Sequence, residues 1–306
     1  MNLITSAIGQ GLLWGLLGIG LFLTFRILDF PDMTVEGTFP LGAAVCVTAI
    51  SHGMSPLLAT ILAFLAGMVA GLITGLLYTK GRIPILLAGI LVMTACYSVN
   101  LRIMGTSNIS LLGKQSFFTN SFLESLPKFF DSVTLGLFII IIVIVLLALF
   151  LQTELGQAFI ATGDNEKMAK SLGIATDQMK NMGLMVSNGL IALSGALIAQ
   201  SNDYADVNMG IGIIVIGLAS IIIGEVVFGE LTMNQRLVAV VCGSVIYRFV
   251  LLLVLKAGFG TNDLNLISSV VLALCLMLPT IRTKLGLGRV LRRGVEIPKK
   301  QVNDND

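Results

Sequence analysis

Charge is what this sequence has least of. Only 12% of its 306 residues are Asp, Glu, Lys or Arg, where a soluble domain carries about 25%. A water-covered globule is excluded, because most of the chain must face something other than water. Histidine occurs once, at His52, so a Ser–His–Asp arrangement or a histidine-rich metal site has little to be built from. Neither H-E-x-x-H nor G-x-x-x-x-G-K-[ST] occurs, which removes the zinc-hydrolase and phosphate-loop readings. Catalysis by this chain is therefore not expected, and neither is a bound cofactor. The four cysteines, Cys46, Cys96, Cys242 and Cys275, all lie inside apolar runs without metal-ligand spacing. They read as small packing residues.

What the sequence has is apolar length. It is 56% hydrophobic, with a mean hydropathy of +0.95. A membrane-spanning helix needs about 20 largely apolar residues. Nine segments come near that, at roughly 7–25, 38–52, 56–78, 84–104, 133–151, 178–200, 210–228, 237–255 and 264–281. The expected fold is an all-α polytopic membrane protein with about nine transmembrane helices, some short or broken. The second segment follows "DFPDMTVEGTFP", where Pro31, Gly37 and Pro40 delay a straight helix. The seventh contains Gly210, Gly212, Gly217 and Gly224 and is expected to be interrupted.

The positions of the basic residues set an orientation. With the N-terminus outside, 14 of the 19 Lys and Arg fall on the inner side, including the seven after Ile281; four fall outside and Arg248 lies within a span. Positive charge favours the cytoplasmic face, so the C-terminus is expected inside. No basic residue precedes Arg26, so the first apolar stretch reads as a span rather than a leader. Residues 1–281 then form the transmembrane unit, with an outer loop at about 105–132 and a cytoplasmic loop at about 152–177. The tail, 282–306, is basic and then polar and reads as an anchor beside anionic lipid. No nucleic-acid partner is expected.

Small residues recur at helix spacing. Gly67, Gly71 and Gly75 stand four apart, as do Gly11 and Gly15. Such stripes let helix backbones approach closely, within a bundle or a dimer.

Ionisable residues at membrane depth are costly, and so point to pairing or function. Arg248 stands mid-span with Glu225 as its nearest acidic candidate. One reading pairs the two across spans; the other lines a translocation path. Asp29, Asp32 and Glu36 flank the break before the second span. They either cap and gate that helix or hold a proton or cation. Asn100, with Arg102 and Asn108, sits at an outer span end, where it either contacts a polar solute or anchors the interface. In the outer loop, "GTSNISLLGKQSFF" and "SFLESLPKFF" read equally as a lid or as an amphipathic surface segment.

The cytoplasmic stretch "ATGDNEKMAKSLGI" reads as a short capped helix over about 165–172. Asp164 is the expected N-cap, Glu166 stands in the first turn, Lys170 near the end, and Gly173 is the left-handed stop. A helix that short is marginal in water. Its apolar face, Met168, Ala169 and Leu172, reads either as a docking element for another surface or as a solvated loop helix lying on the membrane.

The run "ATGDNEKMAKSLGI…MKNMGLMVSNGLIALSGALIAQ" resembles the cytoplasmic loop and following span of ATP-binding cassette importer permeases, in the branched-chain amino acid and ribose permease family. "DMTVEGTFPLGAAV" resembles that family's Asp-Leu-Ser-Val-Gly-Ser segment, and "MGIGIIVIGLASIIIGEVVFG" its glycine-rich late span. The likeness covers roughly residues 8–282. Within the family, "DMTVEGTFPLGA" resembles a subgroup linked with aromatic amino acid uptake. The resemblance implies a coupling helix that docks on a separate ATPase subunit, carried over to Gly163, Asp164, Asn165, Ala169 and Gly173. It also implies an extracellular solute-binding protein, a second copy of the permease and a bacterial plasma-membrane location. The alternative from another class is an ion-coupled secondary transporter using Asp29, Asp32, Glu36, Glu225 and Arg248. A non-transporting scaffold is a third.

Overall fold

The computed structural model describes residues 2–119, 130–229 and 231–256, with helical residues at 266–270, 272–274 and 277. Half of the expected ninth segment and all of the basic tail fall outside the described residues, as does part of the expected outer loop.

Ten helices and one two-stranded ribbon organise the described residues. The first helix, α1 (Asn2–Leu21), continues as a π-helical turn over Phe22–Ile27. Then come α2 (Val35–Ser51), α3 (Pro56–Thr79) and α4 (Ile85–Met104). After strand β1 (Asn108–Ser110) the chain forms α5 (Phe130–Gln152) and two short helices, α6 (Glu154–Asp164) and α7 (Glu166–Ser171). Helix α8 (Thr176–Asn202), strand β2 (Tyr204–Asp206), α9 (Ile213–Phe228) and α10 (Met233–Lys256) complete the order. Seven helical segments are long and apolar enough to cross a membrane, and α2 is a shorter apolar helix. The all-α polytopic expectation therefore holds.

Two helices sit at the centre. In α1 and in α8, 78% of the spanning window is buried, against 22% in α5 and 28% in α4. The main core joins Leu13, Leu16, Leu17 and Phe22 of the first helix to Ile191, Leu197 and Ile198 of α8. Side chains such as Leu57, Leu65, Ile90, Phe138 and Leu146 stay exposed on the peripheral helices, where lipid rather than water suits them.

The glycine stripes explain the closest approaches. A Cβ at Gly67 would meet Asn188 and Ala192, and one at Gly71 would meet the Leu184 carbonyl, so α3 lies directly on α8. Gly11 and Gly15 likewise lie against Val245 and Ser244 of α10, and Ser244 Oγ donates to the Gly11 carbonyl at 2.6 Å.

Two expectations change in detail. The seventh segment is interrupted only at its start, by a 3₁₀ turn at Val207–Gly210 and by Gly212 at φ +78°. Gly217 and Gly224 sit inside α9, where they let Leu21 and the Ala239 carbonyl approach. The outer-loop stretch is tied down: Asn108, Ile109 and Ser110 pair antiparallel with Asp206, Ala205 and Tyr204, and Phe117 N–H donates to Gln200 Oε1 at 3.2 Å. The ribbon marks one end of the bundle; α6 and α7 mark the other.

Candidate functional site: a surface helix, a buried polar knot and a cavity

At the α6–α7 end the chain makes two helices where sequence predicts one. Thr153 caps α6, its hydroxyl accepting from Gly156 N–H at 3.2 Å. Phe159 is buried against Phe150 at a ring distance of 6.3 Å. Asp164 ends α6 and is not the N-cap of α7. That role belongs to Asn165, whose extended backbone (φ −156°, ψ 97°) breaks the helix and whose Oδ1 accepts from Met168 N–H at 3.0 Å. Gly173 is the expected left-handed stop, at φ +84°, with Ile174 N–H reaching back to the Ala169 carbonyl at 3.0 Å.

The apolar face of α7 divides. Ala169 is fully buried against its own chain, while Met168 is 46% and Leu172 69% exposed. Gly163 is also internal, since a Cβ there would meet the Ile27 carbonyl at the end of the π-helical turn. Of the residues expected to face a partner, Met168 and Leu172 are presented outward, whereas Ala169 and Gly163 fix the helix pair to the bundle.

The tie between α7 and the bundle is a residue that sequence reading missed. Lys180, in the second turn of α8, has a side chain only 4% exposed and bonds Glu166 at 2.7 Å. Its ammonium reaches Tyr78 Oη at 3.3 Å and lies 4.9 Å and 5.5 Å from the Tyr78 and Phe30 ring centres. Glu166 also bonds Lys170 at 2.8 Å. These two lysine hydrogen bonds hold the Glu166 carboxyl below its ordinary range. Position 180 looks like one more inner-side basic residue; only its helical phase, facing Tyr78 at the end of α3, marks it out.

Phe30 belongs to the connection that carries Asp32, and there the second group lies. Asp32 is buried; its Oδ1 accepts from Thr34 N–H at 2.9 Å and its Oδ2 from Asn188 Nδ2 at 2.8 Å. Asn188 Oδ1 accepts from Thr38 Oγ1 at 2.9 Å, and Thr34 meets Thr74 hydroxyl to hydroxyl at 2.9 Å. One knot thus joins α2, α3 and α8. Asp32 holds the backbone N–H of Thr34, the residue just before α2, and Thr34 itself makes no side-chain cap to that helix. Asn188 was not among the expected residues.

The other acidic residues scatter. Asp29 is exposed. Glu36, in the first turn of α2, accepts from Gly212 N–H at 3.1 Å and so ties α2 to the turn just before α9. Glu225 does not pair with Arg248; it bonds Arg26 at 2.8 Å near the α6–α7 end. Arg248 stands where α10 crosses Gly11 and Trp14, with its guanidinium 4.2 Å from the Trp14 ring centre and Nε buried without a hydrogen bond. The five residues offered for ion coupling are therefore not assembled into one site. No group of three His, Cys, Asp or Glu placed to hold a metal occurs among the described residues.

Third, a cavity of about 200 Å³ opens between α2, α4 and the turn before α9. Glu36, Pro40, Thr94, Tyr97, Asn100 and Asn208 contribute to its wall. Pro40 has no N–H to donate, so the Glu36 carbonyl lacks its helical partner, and Gly210 packs against that carbonyl. Asn100 is fully buried, and its Oδ1 has no hydrogen-bond donor. Its Nδ2 reaches only the Gly37 carbonyl, at 3.5 Å.

Compared with known proteins, the sequence matches, over residues 3–286, the family described as branched-chain amino acid transport system, permease component. The chain belongs to this permease family. It is 42% identical over 272 residues to a tyrosine transport system permease protein of Clostridioides difficile (strain R20291), covering 89% of this chain and 90% of that one. It is 36% identical over 280 residues to an uncharacterised protein of Rickettsia prowazekii (strain Madrid E), covering 90% and 97%. Among solved structures, an inward-facing metal-chelate type ABC transporter shares the fold, with TM-score 0.51, 16% identity and coverage of 92% and 85%. The permease is a multi-pass protein of the bacterial plasma membrane.

Proposed function

We propose that this permease is the membrane subunit of an ATP-driven importer for an amino acid, with an aromatic one as first candidate. The observation that carries the reading is α7. It is capped at both ends, ion-paired through Glu166 to the buried Lys180, and presents Met168 and Leu172 outward. A six-residue helix held so firmly has a use if something pushes on it. The sequence contains no phosphate loop, so a separate subunit hydrolyses ATP, and α7 docks on it as a coupling helix. The relative that transports tyrosine and matches nine-tenths of both chains supports the solute class.

In this reading the N-terminus lies outside, the α6–α7 end faces the cytoplasm, and nine spans place the C-terminus inside. Two copies of the chain enclose one pathway, and an extracellular binding protein delivers the solute. Motion travels from α7 through Glu166 and Lys180 to Phe30 and the Asp32 connection, so that ATP binding and release shift the permease between two states.

The test is co-purification and uptake. The Met168→Glu, Leu172→Glu double variant should lose at least tenfold of the ATPase subunit that co-purifies, and should lose ATP-dependent amino acid uptake in proteoliposomes. Uptake by this chain alone, driven by an ion gradient and indifferent to ATP, would sink the proposal. The ion-coupled reading has no comparable support, since its residues lie apart.

A further inference from the structure

We propose that the cavity between α2 and α4 binds the ammonium end of the transported amino acid, with the Glu36 carboxylate and Asn100 Oδ1 as acceptors. The permease then performs part of the selection itself. This rests on the importer reading above and names a solute site within it.

The wall of the cavity brings together acceptors and no cation. Glu36 uses Oε1 for the Gly212 N–H, at 3.1 Å, and an ionised carboxylate can accept several further hydrogen bonds. Asn100 is fully buried, yet its Oδ1 has no donor. A buried acceptor left unmade is unusual in a native protein and calls for a missing partner. The Asn100 amide lies 3.5 Å from the carbonyl of Gly37, the residue next to Glu36, so both acceptors belong to one wall. A donor that satisfies both must carry several hydrogens, and a primary ammonium carries three.

The rest of the wall fits the body of such a solute. Met93, Pro40 and Ile211 are apolar, and Tyr97 adds a half-exposed ring whose face attracts a cation. At about 200 Å³ the space is below the 300–1,000 Å³ of drug-sized pockets, so it suits a small solute. An exposed carboxylate is also costly in hydrocarbon. Because Glu36 of α2 is only half-buried, the edge of α2 that carries it suits a wet path rather than lipid. A solute whose only charge is a carboxylate would meet Glu36 as a like charge and be excluded.

The experiment uses the permease–ATPase complex in nanodiscs, without its binding protein, and radiolabelled L-tyrosine. Saturable retention is expected, competed by unlabelled L-tyrosine and by tyramine. The deaminated analogue 3-(4-hydroxyphenyl)propionate should compete at least tenfold more weakly. Glu36→Gln should weaken retention at least tenfold and Asn100→Leu about fivefold. No saturable retention, equal competition by the deaminated acid, or retention untouched by both substitutions would each overturn the site. The competition series needs only the wild-type protein, so it decides even if a variant fails to fold. ATP-driven uptake with the binding protein present is measured in parallel. Its absence counts against the importer reading, whereas uptake without amine-selective retention counts against this site alone.

Discussion

The two polar regions at the ends of the Lys180 tie are opposites. Around Asn188 the side-chain groups are turned inward and answered: Asp32, Thr34, Thr38 and Thr74 each have a partner within 2.9 Å. On α7 the polar groups are answered as well, by Asn165 and the Glu166 lysines, but the apolar ones are not, since Met168 and Leu172 face outward. A buried knot with nothing left over holds helices together. A surface helix with its backbone satisfied and its greasy side chains bare is what the proposed docking on an ATPase subunit requires. The contrast separates residues that hold the bundle together from those that, in the proposed importer, meet the ATPase subunit.

The comparison breaks most readily at the knot. Asn188→Leu removes one of the two donors to the buried Asp32 carboxylate and the acceptor for Thr38. Leaving a buried group unsatisfied costs about 1–3 kcal/mol, and more when it is charged. The expected outcome is a fall in thermal unfolding temperature larger than any single substitution on α7 produces, with Asp32→Asn milder because an amide can replace one oxygen. Wild-type unfolding of Asn188→Leu in nanodiscs would show that the knot does not hold the helices. Gly71→Val comes next, because its side chain would run into the Leu184 backbone. Overpacking of this kind costs about 1–3 kcal/mol and should push α3 off α8, measurable as a lower unfolding temperature and faster amide exchange in both helices.

How much of this could be read from the chain depends on whether a signal is local. Hydropathy marked the spans, because length and polarity decide whether a segment can cross a membrane. Glycines four apart announced a close helix approach, because only small residues allow it, though not that α8 would be the partner. Gly173 announced the end of α7 by its position alone. Pairings across the bundle were not legible. Glu225 looked like the partner of Arg248, yet Arg26 sits beside it in space, 199 positions away. Asn188 and Lys180 are two of several polar letters in a largely apolar span, and only the fold shows that one meets Asp32 and the other Glu166. Asp164 was misplaced by one residue because nothing in the sequence required a helix immediately before α7; once α6 exists, its last turn claims Asp164 and Asn165 becomes the cap.

Lys180 is where the two regions can be separated without breaking either. Lys180→Met keeps an apolar stem between Tyr78 and Phe30 and deletes the ammonium. Glu166 stays partly exposed and keeps Lys170, so no charge is stranded. The expected stability loss is about 1 kcal/mol, as for an ordinary intramolecular hydrogen bond. Amide exchange over residues 166–171 should accelerate while the Asn188 region stays protected. If both regions accelerate together, α7 and the knot are one cooperative unit. A similar loss, about 1 kcal/mol, is expected for Asn165→Ala, which deletes the N-cap; here the change should stay within α7, seen as reduced protection of Met168 N–H.

The smallest effect is a dependence on acid. The Glu166 carboxyl is held below its ordinary range first by the Lys170 hydrogen bond and then by that of Lys180. A group whose folded value is depressed contributes its stabilisation in full above the unfolded carboxylate value, near about 4.3. That contribution fades as pH falls through the lower folded value. Because the Glu166 side chain is 37% exposed, solvent screens the pair and the change is modest. Amide exchange in α7, corrected for its intrinsic pH dependence, should therefore be flat from pH 7 to about 5 and rise below about 4, and Glu166→Gln should remove the rise. A rise that persists in Glu166→Gln would assign it to another carboxylate at the same end, and the ion pair would then contribute little to holding α7 in place.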